Sequence, residues 1–296
     1  MAFHIIKGDI IKMKVDAIVN AANSSLQNGG GVCGTIFRHA GEEALRRECE
    51  KIGGCETGFS VITKGYALQA KYIIHSVGPV WRGGVAGEEF LLRSCYRSAL
   101  ELAAKHRISS IAFPLISSGI YGYPKEEALN IAVDEIGKFA LLSDMEIFLV
   151  IYNAEDFVID DALRKEVAAY IAEQKALPEE TYPNIHFDFE VKEIDKPAIS
   201  QPEKDFYRKA NLSRADFMRI SRPSVGKKIS KDEVISMAIA LEFDFEKAKA
   251  FLERFGYRFD KHTKDLIIRW SIENKRYDIF ELTKLLFAFN RTFNIQ

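Results

Sequence analysis

The chain has 296 residues, 47% hydrophobic and 28% charged, with a formal net charge of −1. That length holds two domains with cores of their own, and the balance is that of an ordinary soluble globular protein. There is no apolar run long enough to span a bilayer and no secretory leader at Met1, so a cytoplasmic protein is expected. Four cysteines, Cys33, Cys49, Cys55 and Cys95, form no CxxC pair and join no His-rich pattern, which argues for reduced thiols and against a metal site. The charge is unevenly spread. Residues 1–174 carry 18 Lys/Arg against 22 Asp/Glu, residues 175–204 carry 4 against 7, and residues 205–296 carry 19 against 13. A basic C-terminal third is compatible with a polyanionic partner, and equally with a solvated helical surface.

In chain order, residues 3–6 form a short apolar run that ends in Lys7, Gly8, Asp9 and Ile10. A second run, 17–19, delivers Asn20 and Asn23, after which Gly29, Gly30 and Gly31 force a loop. Ile36, Ala40, Ala44 and Leu45 then recur at helical spacing. Residues 59–62 and 72–77 are apolar, bounded by glycine, and predict strands. Residues 88–106 place Leu91, Leu92, Cys95, Tyr96, Ala99, Leu102 and Ala103 on one helical face. A strand over 111–113 stops at Pro114, and Pro124 stands at the first position of a helix continued by Ala128, Ile131, Ala132, Ile136 and Phe139. A buried strand over 146–152 and a helix capped by Asp160 or Asp161 and running to Ile171 complete the pattern. Alternating strands and helices predict an α/β domain with helices on both faces of a largely parallel or mixed sheet.

Ligands of such sheets bind at the carboxyl ends of the strands. The Gly29–Gly31 run lies between a strand and a helix start, where approachable backbone amides and the helix dipole favour a phosphate. No Gly-Lys-Ser/Thr follows and the spacing is not GxGxxG, so neither a Walker loop nor a dinucleotide fingerprint is present. A second glycine loop carries Ser117, Ser118, Gly119, Ile120, Tyr121 and Gly122. Together they predict a nucleotide-diphosphate pocket, with Asp9 available to an exocyclic amine.

The series GDI (8–10), NAAN (20–23), GGGV (29–32), CETG (55–58), IIHSVGP (73–79) and SSGIYGYP (117–124) resembles that of a macrodomain, and within that family the MacroD-type ADP-ribose hydrolases. The resemblance covers roughly residues 1–174. It implies a three-layer α/β/α fold around a mixed six-stranded sheet, and ADP-ribose as ligand with no cofactor. Position by position it implies that Asp9 bonds the adenine amine and Ile10 adds a backbone contact. Asn23 would orient the distal ribose. Gly29, Gly30, Gly31 and Val32 would wrap the diphosphate and distal ribose, and Ser118, Gly119, Ile120 and Tyr121 would close from the other side, with Asn20, Cys33 and Ser117 counted among the ligand-binding residues. Tyr152 or Asn153 would lie against adenine.

One position departs from that family. Where MacroD-type enzymes commonly carry an aspartate proposed to activate water, this chain has Cys33, a poorer base, in a GVC variant similar to alphavirus-type macrodomains. The mechanism this leaves is substrate-assisted: Asn23 fixes the ribose while a water held between the ligand's phosphate and the Gly30 backbone attacks. The expected activity is removal of mono-ADP-ribose from acidic side chains or deacetylation of O-acetyl-ADP-ribose. A reader that binds ADP-ribose without turnover and a regulator coupling ADP-ribose sensing to a C-terminal binding domain are the alternatives. His39 and His75 are expected to be structural, and Cys33 to be a packing thiol.

Residues 175–204, with Pro178, Pro183, Pro197 and Pro202 among acidic residues, predict a linker, within which 186–191 alternates like a strand. Residues 205–296 predict an all-helical domain, with Ser213, Ser230 and Asp244 as caps. Its first helices weakly resemble a repressor-type helix-turn-helix. In that resemblance Arg214, Arg219, Arg222 and Lys227 would face nucleic acid; a protein-docking module is the other reading.

Overall fold

Short runs rich in Val and Ile, each stopped by Gly, Pro or a polar turn, make six strands: β1 (Phe3–Lys7), β2 (Ala17–Ala22), β3 (Ser60–Lys64), β4 (Tyr72–Val77), β5 (Ser110–Phe113) and β6 (Glu146–Ile151). They form one sheet in the order β1-β6-β5-β2-β4-β3. All pairings are parallel except β3 with β4, so the sheet is mixed and its one antiparallel strand lies at an edge. The structure, a computed structural model, describes residues 3–153, 156–178, 206–221 and 229–292.

Two helical layers cover this sheet. Helices α1 (Gly31–Ala40) and α2 (Glu42–Ile52) bury Ile36, Phe37, Leu45 and Cys49 against Ile18, Ala22, Ile73 and Val77 of one face. Alternate residues of the same strands point the other way, toward α3 (Glu88–Lys105) and α4 (Lys125–Ala140). There the Tyr96 ring lies tilted against Phe113 at 5.5 Å between centroids and its hydroxyl accepts the Ile116 N–H at 3.1 Å. The expected single helix through Ile36, Ala40, Ala44 and Leu45 is two helices, because Gly41 takes φ 93°, a left-handed conformation that ends one and starts the next.

The chain divides into two units, Met1–Asp160 and Asp161–Gln296. Helix α5 (Asp161–Ala176) falls within the second of these units. Its Tyr170 hydroxyl donates to Glu273 at 2.7 Å and Lys175 donates to Thr263 at 3.0 Å. The expected linker beyond Pro178, including 186–191, lies outside the described residues.

The second unit is helical throughout its described residues: α6 (Phe206–Lys209), α7 (Arg214–Ser221), α8 (Lys231–Ala240), α9 (Phe245–Arg254), α10 (Thr263–Glu273) and α11 (Ile279–Ala288) follow α5. Helix α8 is buried on every side from Val234 to Ile239, as expected of a helix apolar all round. Its start is a full capping box in which Ser230 and Glu233 each bond the other's backbone. No helix among the described residues is long and apolar enough to cross a membrane.

Candidate functional site

At the carboxyl end of the parallel strands the two glycine loops meet. A Cβ placed on Gly30 would come within 2.6 Å of the Ile120 Cδ1 atom, and one on Gly31 within 3.9 Å. Ile120 is 76% exposed, so it spans the gap between the loops without being packed into either. Gly30 is also the N-cap residue of α1, and no side chain caps the backbone donors there. Loop, helix start and dipole thus converge on one point, which favours an anion. Gly34 lets the loop fold back on the helix, since a Cβ there would lie 2.3 Å from the Gly29 carbonyl oxygen.

The second loop is held from beneath. Ser117 takes φ 63°, its carbonyl accepts the Tyr123 N–H at 3.0 Å, and Ser118 donates to the Leu115 carbonyl at 2.9 Å. Gly78, after β4, presses directly on it, for a Cβ there would meet Ser117 Oγ at 2.2 Å. Trp81 then donates its N–H to the Tyr121 carbonyl at 2.9 Å. Gly78 stands in the IIHSVGP motif without an assigned role and Trp81 was not singled out; the glycine at the end of an apolar strand was the available signal.

Asp9 and Ile10 lie at another corner. The Asp9 carboxylate accepts the Ile11 N–H at 3.3 Å, capping the short 3-10 turn Ile10–Lys12, and Ile10 is buried beneath. Gly8 donates to the Ile151 carbonyl at 3.1 Å, which ties this corner to the end of β6 and so to exposed Tyr152 and Asn153. From β1 to β4 the sheet steps across four pairings, roughly 19 Å at the usual strand spacing. The predicted residues are therefore spread over a distance of that order along the carboxyl ends of the strands rather than gathered at a point.

Asn20 and Asn23 have different places. Asn20 on β2 is fully buried under α1, where its Nδ2 donates to Cys33 Sγ at 3.6 Å and to His75 Nδ1 at 3.1 Å. It supports the loop from inside and does not line the mouth. Asn23 organises the turn that follows β2: its Oδ1 accepts from Gln27 N at 3.0 Å and Ser25 Oγ at 2.8 Å, and its Nδ2 donates to the Gln27 carbonyl at 2.8 Å. Gly29 sits against that amide, a Cβ there falling 3.3 Å from Nδ2.

Cys33 is 4% exposed and its thiol donates to the Gln27 carbonyl at 3.7 Å. Burial pushes its pKa up, against smaller opposing effects of Asn20 and the Gly29 backbone, so the sulfur is a neutral packing group rather than a base. His75 is held neutral too, burial pushing its pKa down to about 4. Its Nδ1 lies 3.1 Å from Asn20 Nδ2 and its Nε2 lies 2.9 Å from Thr63 Oγ1, so both ring nitrogens have a polar partner. His39 is exposed on α1, with Nδ1 2.8 Å from the Thr35 carbonyl. Among the described residues no group of three His, Cys, Asp or Glu could hold a metal.

Residues 19–132 match the Macro domain family. A "Macro domain-containing protein" of Methanosarcina mazei is 55% identical over 153 residues, which are 51% of this chain and 81% of that protein. The chain belongs to the macro domain family. An O-acetyl-ADP-ribose deacetylase of Escherichia coli K12 is 46% identical to the macrodomain over 159 residues, 52% of this chain and 89% of the relative. Among solved structures, the Oceanobacillus iheyensis macrodomain with ADP superposes with a TM-score of 0.50 at 40% identity, covering 57% of this chain and 91% of that one. The macrodomain's sheet is the mixed six-stranded one expected.

Two of the four residues read as facing nucleic acid, Arg214 and Arg219, are among the described residues. Arg219 on α7 pairs with Asp216 at 2.9 Å and with the buried carboxylate of Glu233, so its charge is already engaged within the fold. This corrects the expectation that it faces a ligand. Arg214 is exposed at the start of α7, while Arg222 and Lys227 lie outside the described residues.

Proposed function

We propose that the macrodomain binds ADP-ribose in the crevice between its two glycine loops and hydrolyses ADP-ribosyl esters. The substrates are mono-ADP-ribose on acidic side chains, O-acetyl-ADP-ribose, or both. The observation that carries this is the convergence of Gly30, the uncapped start of α1 and Ile120 on one point where a helix N-terminus favours an anion. The relatives support the same reading, one being named for deacetylation of O-acetyl-ADP-ribose and one being solved with ADP. Adenine is assigned to the Asp9 and Tyr152 corner, the diphosphate to the glycine loops, and the distal ribose to the turn built by Asn23. Four free thiols suit a cytosolic setting.

With Cys33 neutral, no protein base stands at the position where the family commonly has aspartate. The nucleophile is then a water ordered by the Gly30 backbone and the ligand's own phosphate. Its oxygen bonds to the anomeric carbon as the bond to the acidic side chain breaks. The carboxylate departs as an anion and the water's proton passes through the phosphate to solvent. A carboxylate is a good leaving group, so little acid catalysis is required.

The same burial of Cys33 supports a second reading, a reader that holds ADP-ribose without turnover. A time course with a protein mono-ADP-ribosylated on glutamate separates them. Release of free ADP-ribose by the wild-type chain, reduced at least tenfold in kcat by Asn23→Ala, is the expected result. Tight binding without release, converted to release by Cys33→Asp, makes the chain a reader. For the helical unit we propose protein docking in preference to a helix-turn-helix role on DNA, because Arg219 is committed to Glu233.

A further inference from the structure

The connection between β4 and α3 is built more firmly than a connection requires. Trp81 is clamped: its N–H bonds the Tyr121 carbonyl at 2.9 Å, its ring lies 4.6 Å from that of Tyr123, and Gly84 sits over it, where a Cβ would fall 3.0 Å from the indole. Glu88, buried at the start of α3, turns its carboxylate back into the loop. It accepts the N–H groups of Arg82 at 2.9 Å, Gly84 at 3.3 Å and Ala86 at 2.6 Å. A buried carboxylate is tolerated only when so bonded, and it leaves the loop with one conformation.

What this scaffold displays is apolar. Val85 is 88% exposed and Phe90, in the first turn of α3, is 68% exposed, and Val80 at the start of the connection is half exposed. Large apolar side chains held out on a rigid frame mark a surface that binds, since little conformational freedom remains to be lost on contact.

The location says what binds. Through Gly78 on Ser117 and Trp81 on Tyr121, the loop is continuous with the candidate crevice at its β4 end. Asp9 and the end of β6 lie at the opposite end. With adenine at the Asp9 corner, the distal ribose and whatever is esterified to it emerge beside residues 80–90. We propose that this surface docks the polypeptide flanking the modified acidic residue of an ADP-ribosylated protein, and so selects protein-linked over small-molecule esters. The proposal rests on the reading of the crevice given above.

The test uses the full chain and two substrates, a protein mono-ADP-ribosylated on glutamate and O-acetyl-ADP-ribose. Val85→Ser/Phe90→Ser alters only exposed side chains. It should lower kcat/KM on the protein substrate about tenfold, the loss expected of a hot-spot contact, and change that on O-acetyl-ADP-ribose less than about twofold. Glu88→Gln, which loosens the loop from within, should show the same selectivity while affinity for free ADP-ribose stays at the wild-type value. Equal losses on both substrates, or no loss on either, overturn the docking surface. If the wild-type chain turns over neither substrate, hydrolysis fails as a reading and docking is judged by calorimetry. The double variant must then bind the ADP-ribosylated protein more weakly and free ADP-ribose equally well, and unchanged binding of both overturns it.

Discussion

His75 and Asn20 face each other across β2 and β4, and their pairing ties the glycine loop to the pH of the solution. A neutral native histidine with pKa about 4 becomes protonated more readily once unfolded, where the ordinary value is about 6.5. The unfolded state therefore binds more protons between those values, and stability rises with pH across that window. The contribution is complete above about pH 6.5, on the order of 3 kcal/mol, and is lost progressively down to about pH 4. Urea melts at pH 7 and pH 4.5 should show this fall, and His75→Gln should flatten it. A second expectation concerns Gly30. Gly30→Ala forces the Ile120 side chain aside and should weaken ADP-ribose binding. Gly30→Ala/Ile120→Ala should recover part of the loss, with a coupling of about 0.5–2 kcal/mol in a double-mutant cycle. Non-additivity below that range would mean the two loops do not cooperate on the ligand. At this scale the sequence could single out Gly30, Ile120 and Asp9 because glycine loops and a turn acid are patterns a few residues long. It was misleading for Asn20, because the same amide that could bind a ribose also satisfies a thiol and an imidazole, and only burial tells the two apart.

Helix α1 owes its usefulness to how it begins. A run of three glycines reads as a loop, yet Gly31 opens α1 in a left-handed conformation, φ 61°, and Gly34 is packed against the loop's own carbonyl. Gly34→Ala should therefore destabilise the fold by about 1–3 kcal/mol, as overpacking does, and lower ligand affinity with it. Thermal melts with and without ADP-ribose report both. In the helical unit the comparable element is α8, whose capping box carries a buried ion pair to α7. Arg219→Ala strands the Glu233 carboxylate and should cost about 3 kcal/mol of that unit's stability. Adding Glu233→Gln, which keeps the capping box but removes the charge, should restore most of it. A variant as stable as wild type, with lost DNA affinity, would instead return Arg219 to a nucleic-acid face. The Ser230 cap read in the sequence marks the start of α8, but it carries no signal for which arginine is spoken for. That depends on a carboxylate 14 positions away in the chain.

The whole chain separates its site from its appendage. Every residue assigned to the crevice belongs to Met1–Asp160, and α5 bonds to α10 in the other unit. A fragment ending at residue 160 should bind ADP-ribose within about twofold of the full chain; a loss of tenfold or more would show that the helical unit completes the site. The architecture of the first unit could be read from alternating strands and glycine punctuation because each signal is a few residues long. The place of α5 could not, since it has the pattern of any amphipathic helix and its partner, Glu273, is 103 residues further on. One feature of the crevice also sets a timescale. Its two loops are bridged by the end of a single exposed isoleucine, so ligand entry requires a rotamer change, a picosecond-to-nanosecond event, in place of a microsecond-to-millisecond lid opening. Stopped-flow association of ADP-ribose should then rise linearly with concentration and show no plateau, and residence time alone should distinguish a strong ligand from a weak one.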